Sequence, residues 1–332
     1  MFWKFHSLIF GAFLVPWLAF GPLVARAQSV AQLSASHLPI NRPLRYTPIG
    51  TDFVITNGTE CFNRPLYGGS SPFRVDGGDQ PEFSLYLPGR GGNLRLGVKS
   101  GGAVKWLNAA DQVVTRYRPG SLIHEIHDSL LGPGTLQFTT LALTKTEGLI
   151  IRVDWSGTAS GRELVWAFGG VNGAKGRRDG DIGCETEPVG RFFQLRAEQC
   201  AGNSVRVASG GFQVRGQPGT IAGILSAPAR LSTADAADWN HPEKLFAGSA
   251  TNAATPVLIG HVSLPVGQPF YLGLQRLANG RVMDETLDVY REVAAPGKPP
   301  RLPARLPKGS RPAICRIFLR ARKTFGRPWL IG

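Results

Sequence analysis

Between Thr56 and Val98 the chain reads TNGTECFNRPLYGGSSPFRVDGGDQPEFSLYLPGRGGNLRLGV, and this stretch leaves few folds open to it. Asn-Gly, Tyr-Gly-Gly, Asp-Gly-Gly and Pro-Gly-Arg-Gly-Gly turn signals separate short runs in which apolar residues alternate with polar ones. A helix needs a longer uninterrupted run with a different period, so the pattern marks consecutive antiparallel strands joined by tight loops. The turns also collect polar and aromatic groups: Asn63, Arg64 and Tyr67 near one, Asp76 and Asp79 near another, with Glu82 just beyond. Such a cluster is either a ligand site or the polar fastening of the loops.

The same signals recur along the chain. Asp52–Thr56, Phe73–Val75, Glu82–Leu87, Leu94–Val98, Ala103–Trp106 and Gln112–Arg118 are short, rich in β-branched or aromatic residues and bounded by turn formers. Ser121–His127, Gly134–Leu143, Gly148–Asp154 and Arg162–Phe168 follow, then Arg191–Arg196, Ser204–Val207, Gly211–Arg215, Thr220–Leu225, Pro256–Leu264 and Pro269–Leu277. One helical stretch is expected, around Thr233–Trp239, capped by Ser232 or Thr233. With 42 glycines and 25 prolines, turn formers make up about a fifth of the chain. The fold class predicted is all-β: a large antiparallel sandwich with few helices, spanning residues 48–293 as one domain.

The formal charge of +14 would suggest a polyanionic partner if it were spread over the fold. It is not. Of the 37 basic residues, 10 fall in 294–332, which has no acidic residue, and two fall in 1–27, so 25 face 23 acidic residues elsewhere. Residues 1–27 read as a cleaved secretory signal: Lys4, an apolar run from Leu8 to Phe20, and Ala25-Arg26-Ala27 before the cut. The alternative, an uncleaved anchor, is opposed by Pro16 and Pro22. We therefore expect a periplasmic or secreted protein, with no stable membrane anchor after cleavage and no nucleic-acid partner. Residues 28–47 form a Pro-punctuated lead-in with little regular structure expected.

Four cysteines are present: Cys61, Cys184, Cys200 and Cys315. In an oxidising compartment Cys184 and Cys200 are a disulfide candidate, worth about 3 kcal/mol in the loop-entropy model; two buried free thiols are the alternative. No cysteine or histidine spacing suggests zinc, and neither metal nor cofactor is expected. His124-Glu-Ile-His127 places its histidines three apart on a strand, hence on opposite faces, where they cannot share an ion. Gly169–Gly173 and Arg177-Arg-Asp-Gly-Asp181 form a glycine-rich loop without the Gly-Lys-Ser/Thr of a phosphate cradle. There Asp179 and Asp181 are candidates for a ligand hydroxyl or for an acidic turn paired with Arg177 and Arg178. Glycoside hydrolysis would need two facing carboxylates, and Glu60, Asp79, Glu82, Glu125, Asp179 and Asp181 are available without any sequence rule to pair them. Tyr67, Trp106, Trp155 and Trp166 are aromatic enough to stack on sugar rings or to fill a core.

The runs FNRPLYGG, FRVDGGDQPEFSLYLPGRGGNLRLG, RYRPGS and RRDGDIG resemble an uncharacterised family of secreted bacterial proteins over about residues 50–293. In that family a galactose-mutarotase-like supersandwich precedes a six-hairpin, (α/α)6 glycosidase-like domain. The resemblance implies a carbohydrate partner and carries no catalytic residues onto this chain. It also exposes a departure. After Val293, residues 294–332 form a Pro/Arg-rich tail that cannot supply helical hairpins. The expectation is a catalytically incomplete chain, its helical domain lost by truncation or frameshift or supplied separately, which the reading frame downstream of Val293 tests. A basic arm for nucleic acid or anionic lipid is the other reading of the tail. Arg64, Tyr67, Asp79 and Glu82 are the residues expected to meet the missing domain or its glycan.

Overall fold

The computed structural model describes residues 44–277, apart from 68–71, 144–145, 159–160, 177–188, 209, 249, 251 and 265. The expected signal segment and the basic tail lie outside the described residues, as do Asp179, Asp181 and Cys184.

The described chain is an all-β sandwich of two antiparallel sheets. Its strands are β1 (Thr47–Ile49), β2 (Asp52–Thr56), β3 (Arg64–Tyr67), β4 (Arg74–Gly77), β5 (Glu82–Tyr86), β6 (Arg90–Ser100), β7 (Ala103–Trp106), β8 (Gln112–Arg118) and β9 (Ser121–His127). They continue as β10 (Leu136–Ala142), β11 (Gly148–Trp155), β12 (Arg162–Gly169), β13 (Ser204–Ala208), β14 (Gly211–Gly216), β15 (Gly219–Leu225), β16 (Arg230–Asp235), β17 (Pro256–Ser263) and β18 (Phe270–Arg276). Two short helices interrupt them, α1 (Val189–Phe193) and α2 (Pro242–Leu245). The ten-stranded sheet has the order β1-β2-β8-β9-β10-β11-β18-β15-β14-β13. The eight-stranded sheet runs β16-β17-β12-β6-β5-β4-β3, with β7 added on β6.

Alternation places the core. On β6 Leu94, Leu96 and Val98 point inward, as do Leu164, Trp166 and Phe168 on β12; they meet Phe138, Ile151, Val153, Phe270 and Leu272 from the other sheet in one continuous cluster. Burial of such side chains, at about 25 cal/mol per Å2 of apolar surface, is the main force closing the sandwich. The largest of them, Trp166, lies opposite Gly260 on β17, where an added Cβ would sit 2.2 Å from the indole. Gly260 is therefore a seat for the ring. At the other end of the scale, Pro119 and Gly120 close the β8–β9 hairpin, Gly120 at φ +83° after a proline whose φ is fixed, in the order of a type II turn.

The structure corrects the sequence reading in three places. Arg191–Arg196 is not a strand: Val189–Phe193 is α1, and its last carbonyls are taken by side chains from β6. The stretch around Thr233–Trp239 begins as edge strand β16, and only Ala236–Asp238 forms a 3-10 turn. Its cap is Asp235, whose carboxylate accepts from Ala237 N at 2.9 Å, so Ser232 and Thr233 have no capping role. Finally, β1, β3 and β16 were not foreseen as strands, and each is the edge of its sheet.

Candidate functional site

The outward face of the eight-stranded sheet divides in two. Over β12 and β17 it is apolar: Val165, Ala167, Val257 and Ile259 are covered by Trp239, Leu245 and Phe246 from the segment around α2. Over β3 to β6 it is polar and yet buried. Register puts Tyr67, Arg74, Tyr86 and Arg90 in one row, Pro65, Asp76, Ser84 and Asn93 in the next, and Glu82 beside Arg95 in a third. Asp76, Glu82, Ser84, Arg90 and Asn93 are all shielded from solvent. Charges in such a place need partners: Asp76 and Glu82 each have an arginine, and Arg90 has backbone carbonyls.

Arg74 Nε donates to Asp76 Oδ2 at 3.0 Å. The same guanidinium lies 5.3 Å from the Tyr86 ring and 5.7 Å from the Phe193 ring. Burial still outweighs Arg74, and the Asp76 carboxyl is pushed up to about 7. Glu82 is likewise raised by burial, against the opposing pull of Arg95 and hydrogen bonds from Asn108 and Asn93. Its Oε2 accepts from Asn108 Nδ2 at 2.9 Å and lies 3.2 Å from Arg95 Nε, an ion pair rather than an aligned hydrogen bond. Arg95 in turn stacks on Trp106 at 5.2 Å and donates to Asn240 Oδ1 at 3.1 Å.

The helix α1 closes over this polar half. Phe193 packs among Phe62 and Tyr86, while Arg90 donates to the carbonyls of Phe192 and Phe193 and Asn93 donates to Phe193 O at 2.6 Å. These are carbonyls that a helix end leaves without intrahelical partners, and a guanidinium complements their partial negative charge.

Of the four main candidates from sequence, the structure groups two. Asp79 has no exposed side-chain surface; its carboxylate accepts from Arg45, from the Tyr46 hydroxyl and from Glu60 N at 3.0 Å. The Arg64 guanidinium lies 4.4 Å from the same Tyr46 ring and donates to Asn63 O at 3.0 Å. Burial and the Asp79 carboxylate push the Tyr46 phenol up to about 12. Glu82 belongs to the separate polar face described above. Tyr67 sits at the outer end of that face, beside Arg74 on edge strand β3 and 63% exposed.

His124 and His127 do fall on opposite faces. His124 is buried, and its Nε2 lies 2.9 Å from Gly78 O, so that nitrogen carries the proton and donates; burial lowers its pKa to about 4. His127 is half-exposed and pairs with Glu125 at 3.1 Å. Among the described residues, no group of three His, Cys, Asp or Glu is placed to hold a metal ion. Cys200 is a buried, free thiol among the described residues, and Cys184, the other half of the expected disulfide, lies outside them. Cys61 is also free, its Sγ 3.0 Å from Gln80 Oε1, and burial pushes both thiols up to about 12, far from a reactive thiolate. Trp106, Trp155 and Trp166 are buried packing residues. Sequence reading named Asp76 only in passing and missed Arg74, Asn93 and Arg95, because the face they share is assembled by cross-strand register.

The chain belongs to the family described as a domain of unknown function, DUF4450, which matches residues 87–294. That match begins at the end of β5, so it takes in Arg90, Asn93 and Arg95 but not Asp76, Asp79 or Glu82. No curated protein matches the chain.

Two predictions follow from these environments. Asp79→Ala removes the acceptor shared by Arg45, Tyr46 and Glu60 and should cost about 2 to 4 kcal/mol in urea unfolding; a loss within experimental error would show that the cluster holds nothing together. Asp76 and His124 act on stability with opposite sign. The native Asp76 keeps its proton to about pH 7 whereas the unfolded carboxyl releases it near 3.8, so its contribution falls as pH rises through that window. Native His124 stays neutral to about pH 4 while the unfolded imidazole protonates near 6.5, so its contribution falls as pH drops through that window. Asp76→Asn should leave stability rising with pH between these limits, by up to about 1.4 kcal/mol per pH unit relative to the parent. Equal pH slopes in parent and variant would contradict the assignment.

Proposed function

We propose that this chain is the β-sandwich module of a periplasmic or secreted glycoside-hydrolase-like protein, galactose-mutarotase-like in fold, which supports carbohydrate recognition and does not itself cleave a glycosidic bond. The observation that carries this reading is the state of the carboxylates. Asp76, Asp79 and Glu82 are each tied to an arginine of the same domain. A glycosidase needs two carboxyl groups flanking a bond, with room for substrate and, in inverting enzymes, water between them. These three are spent on holding strands and loops. The resemblance over residues 73–97 supports the carbohydrate context, and a helical domain, separate or missing, would supply the catalytic wall.

A standalone carbohydrate-binding module is the second reading, favoured by Tyr67, a large aromatic ring left open at a sheet edge. Glycan-array binding with the purified chain separates the two. Under the second reading the parent binds, and Tyr67→Ala weakens binding roughly tenfold without lowering the unfolding midpoint. Under the first, glycans are retained only when a helical glycosidase-like domain is added. Hydrolysis by the chain alone would overturn both.

A further inference from the structure

The two sheets end in different ways. A terminal strand leaves a row of backbone N–H and C=O groups without ladder partners, and proteins commonly guard such rows with proline, a charged side chain or a covering loop. β1 is three residues long and carries Pro48, and β3 carries Pro65. Beside β16 a loop takes up part of the outer side, with Ala250 N donating to Thr233 O at 2.8 Å. β7, added on β6, carries Lys105, whose Nζ donates to both Asp111 and Asp128. β13, the far edge of the ten-stranded sheet, is different. Its five residues, Ser-Val-Arg-Val-Ala, include no proline, and among the described residues no backbone bond joins them to anything but β14.

Register gives this edge two faces. Val205 lies opposite Val214 and Val207 opposite Phe212, both core residues, so the two valines line the inward side. Val205 packs against the core, whereas Val207 is 42% exposed. Arg206 and, on β14, Arg215 stand on the outward side, diagonal to one another and exposed. Neither has an ion pair among the described residues. Between Glu198 and Asp235 the chain has three arginines and no acidic residue, so no carboxylate of β13, β14 or β15 answers their charge.

We propose that β13 is a docking edge that takes an added strand from a partner protein, an extended segment in which acidic residues alternate with small apolar ones. In strand addition the main chain supplies affinity and alternate side chains supply specificity. Successive side chains of a strand point to opposite faces, so a segment paired with β13 sets one half of its side chains beside Val205 and Val207 and the other half beside Arg206. Apolar residues in the first set cover Val207; carboxylates in the second are attracted to Arg206 and Arg215. A second copy of this chain is disfavoured as the occupant, because pairing β13 with itself brings two basic edges together with no carboxylate to offset them. The edge belongs to the other sheet from the polar face of β3 to β6, and the proposal does not rest on the carbohydrate reading.

Fluorescence anisotropy on the full chain tests this with two labelled nine-residue peptides, one alternating valine with glutamate and the other valine with lysine. The glutamate peptide should bind and the lysine peptide should not. Arg206→Glu, a change at an exposed side chain, should weaken the glutamate peptide by roughly tenfold, since an attractive cross-strand pair becomes a repulsive one, and should let the lysine peptide bind, with the unfolding midpoint unchanged. An added strand bonds to its neighbour through alternate residues, so N-methylation of one set, the valines or the glutamates, should abolish binding while methylation of the other leaves it intact. The proposal fails if the glutamate peptide does not bind, if both peptides bind alike, if Arg206→Glu changes neither affinity, or if the two methylated sets lose binding equally. It also fails if the chain sediments as a dimer that Val207→Glu dissociates, which gives the edge to a second copy.

Discussion

A turn that is buried has to satisfy its own backbone, and that requirement shapes the centre of this protein. The link from β4 to β5 starts with Gly78 and Asp79, whose carbonyls meet the ten-stranded sheet. Gly78 O is met by His124 Nε2 and Asp79 O by the Thr115 hydroxyl at 2.5 Å, both from the ten-stranded sheet. Asp79 N donates to Glu60 O at 2.8 Å, and its carboxylate gathers the chain entering β1 through Arg45 and Tyr46. Side chains cannot be added here: a Cβ on Gly78 would lie 2.5 Å from Glu60 O. The turn therefore joins both sheets and two loops by polar contacts, which offset the cost of burying its carbonyls and the Asp79 carboxylate.

The outward face of the eight-stranded sheet follows the same economy with charge. Buried ion pairs such as Arg74–Asp76 and Arg95–Glu82 add little net stability, because desolvation offsets most of their attraction. What they contribute is definition. Arg74 is directed at one carboxylate and two rings, Arg90 at the end of one helix, and Arg95 at Glu82, Asn240 and Trp106. The apolar half of the face, under Trp239, Leu245 and Phe246, is held by ordinary packing instead.

The central strands were legible from sequence because each satisfies two conditions at once, alternation and flanking turn formers. Leu94, Leu96 and Val98 spell out β6, and Leu164, Trp166 and Phe168 spell out β12. The missed strands were all edges. Pro48 in β1 and Pro65 in β3 argue against a strand by residue type, yet an edge tolerates proline because one side of its backbone needs no ladder partner. In β16, Arg-Leu-Ser-Thr-Ala-Asp lacks the β-branched density of a central strand and instead looks like a helix cap. Among the candidate residues, Asp79 and Arg64 come from one turn-rich stretch, Arg64 at the start of β3 and Asp79 in the link after β4. Their role in fastening that region came from Tyr46 and Arg45, which lie more than 30 positions upstream of Asp79.

By itself the sequence determined the all-β class, most strand positions, the inward faces and the opposite orientation of His124 and His127, because these follow from a period of two and from where glycine and proline interrupt it. Only the tertiary structure decided that Arg191–Phe193 belongs to a helix, that Asp235 is the cap, and that Asp76, Arg74, Asn93 and Arg95 share a buried polar face. The reason is physical. Local sequence sets backbone preference within a few residues, whereas register between strands far apart in the chain sets which charges must be buried side by side. The stretch from Thr56 to Val98 shows both: its turns and strands are written in its residues, and the partners of Asp79 and Glu82 are supplied from outside or across it.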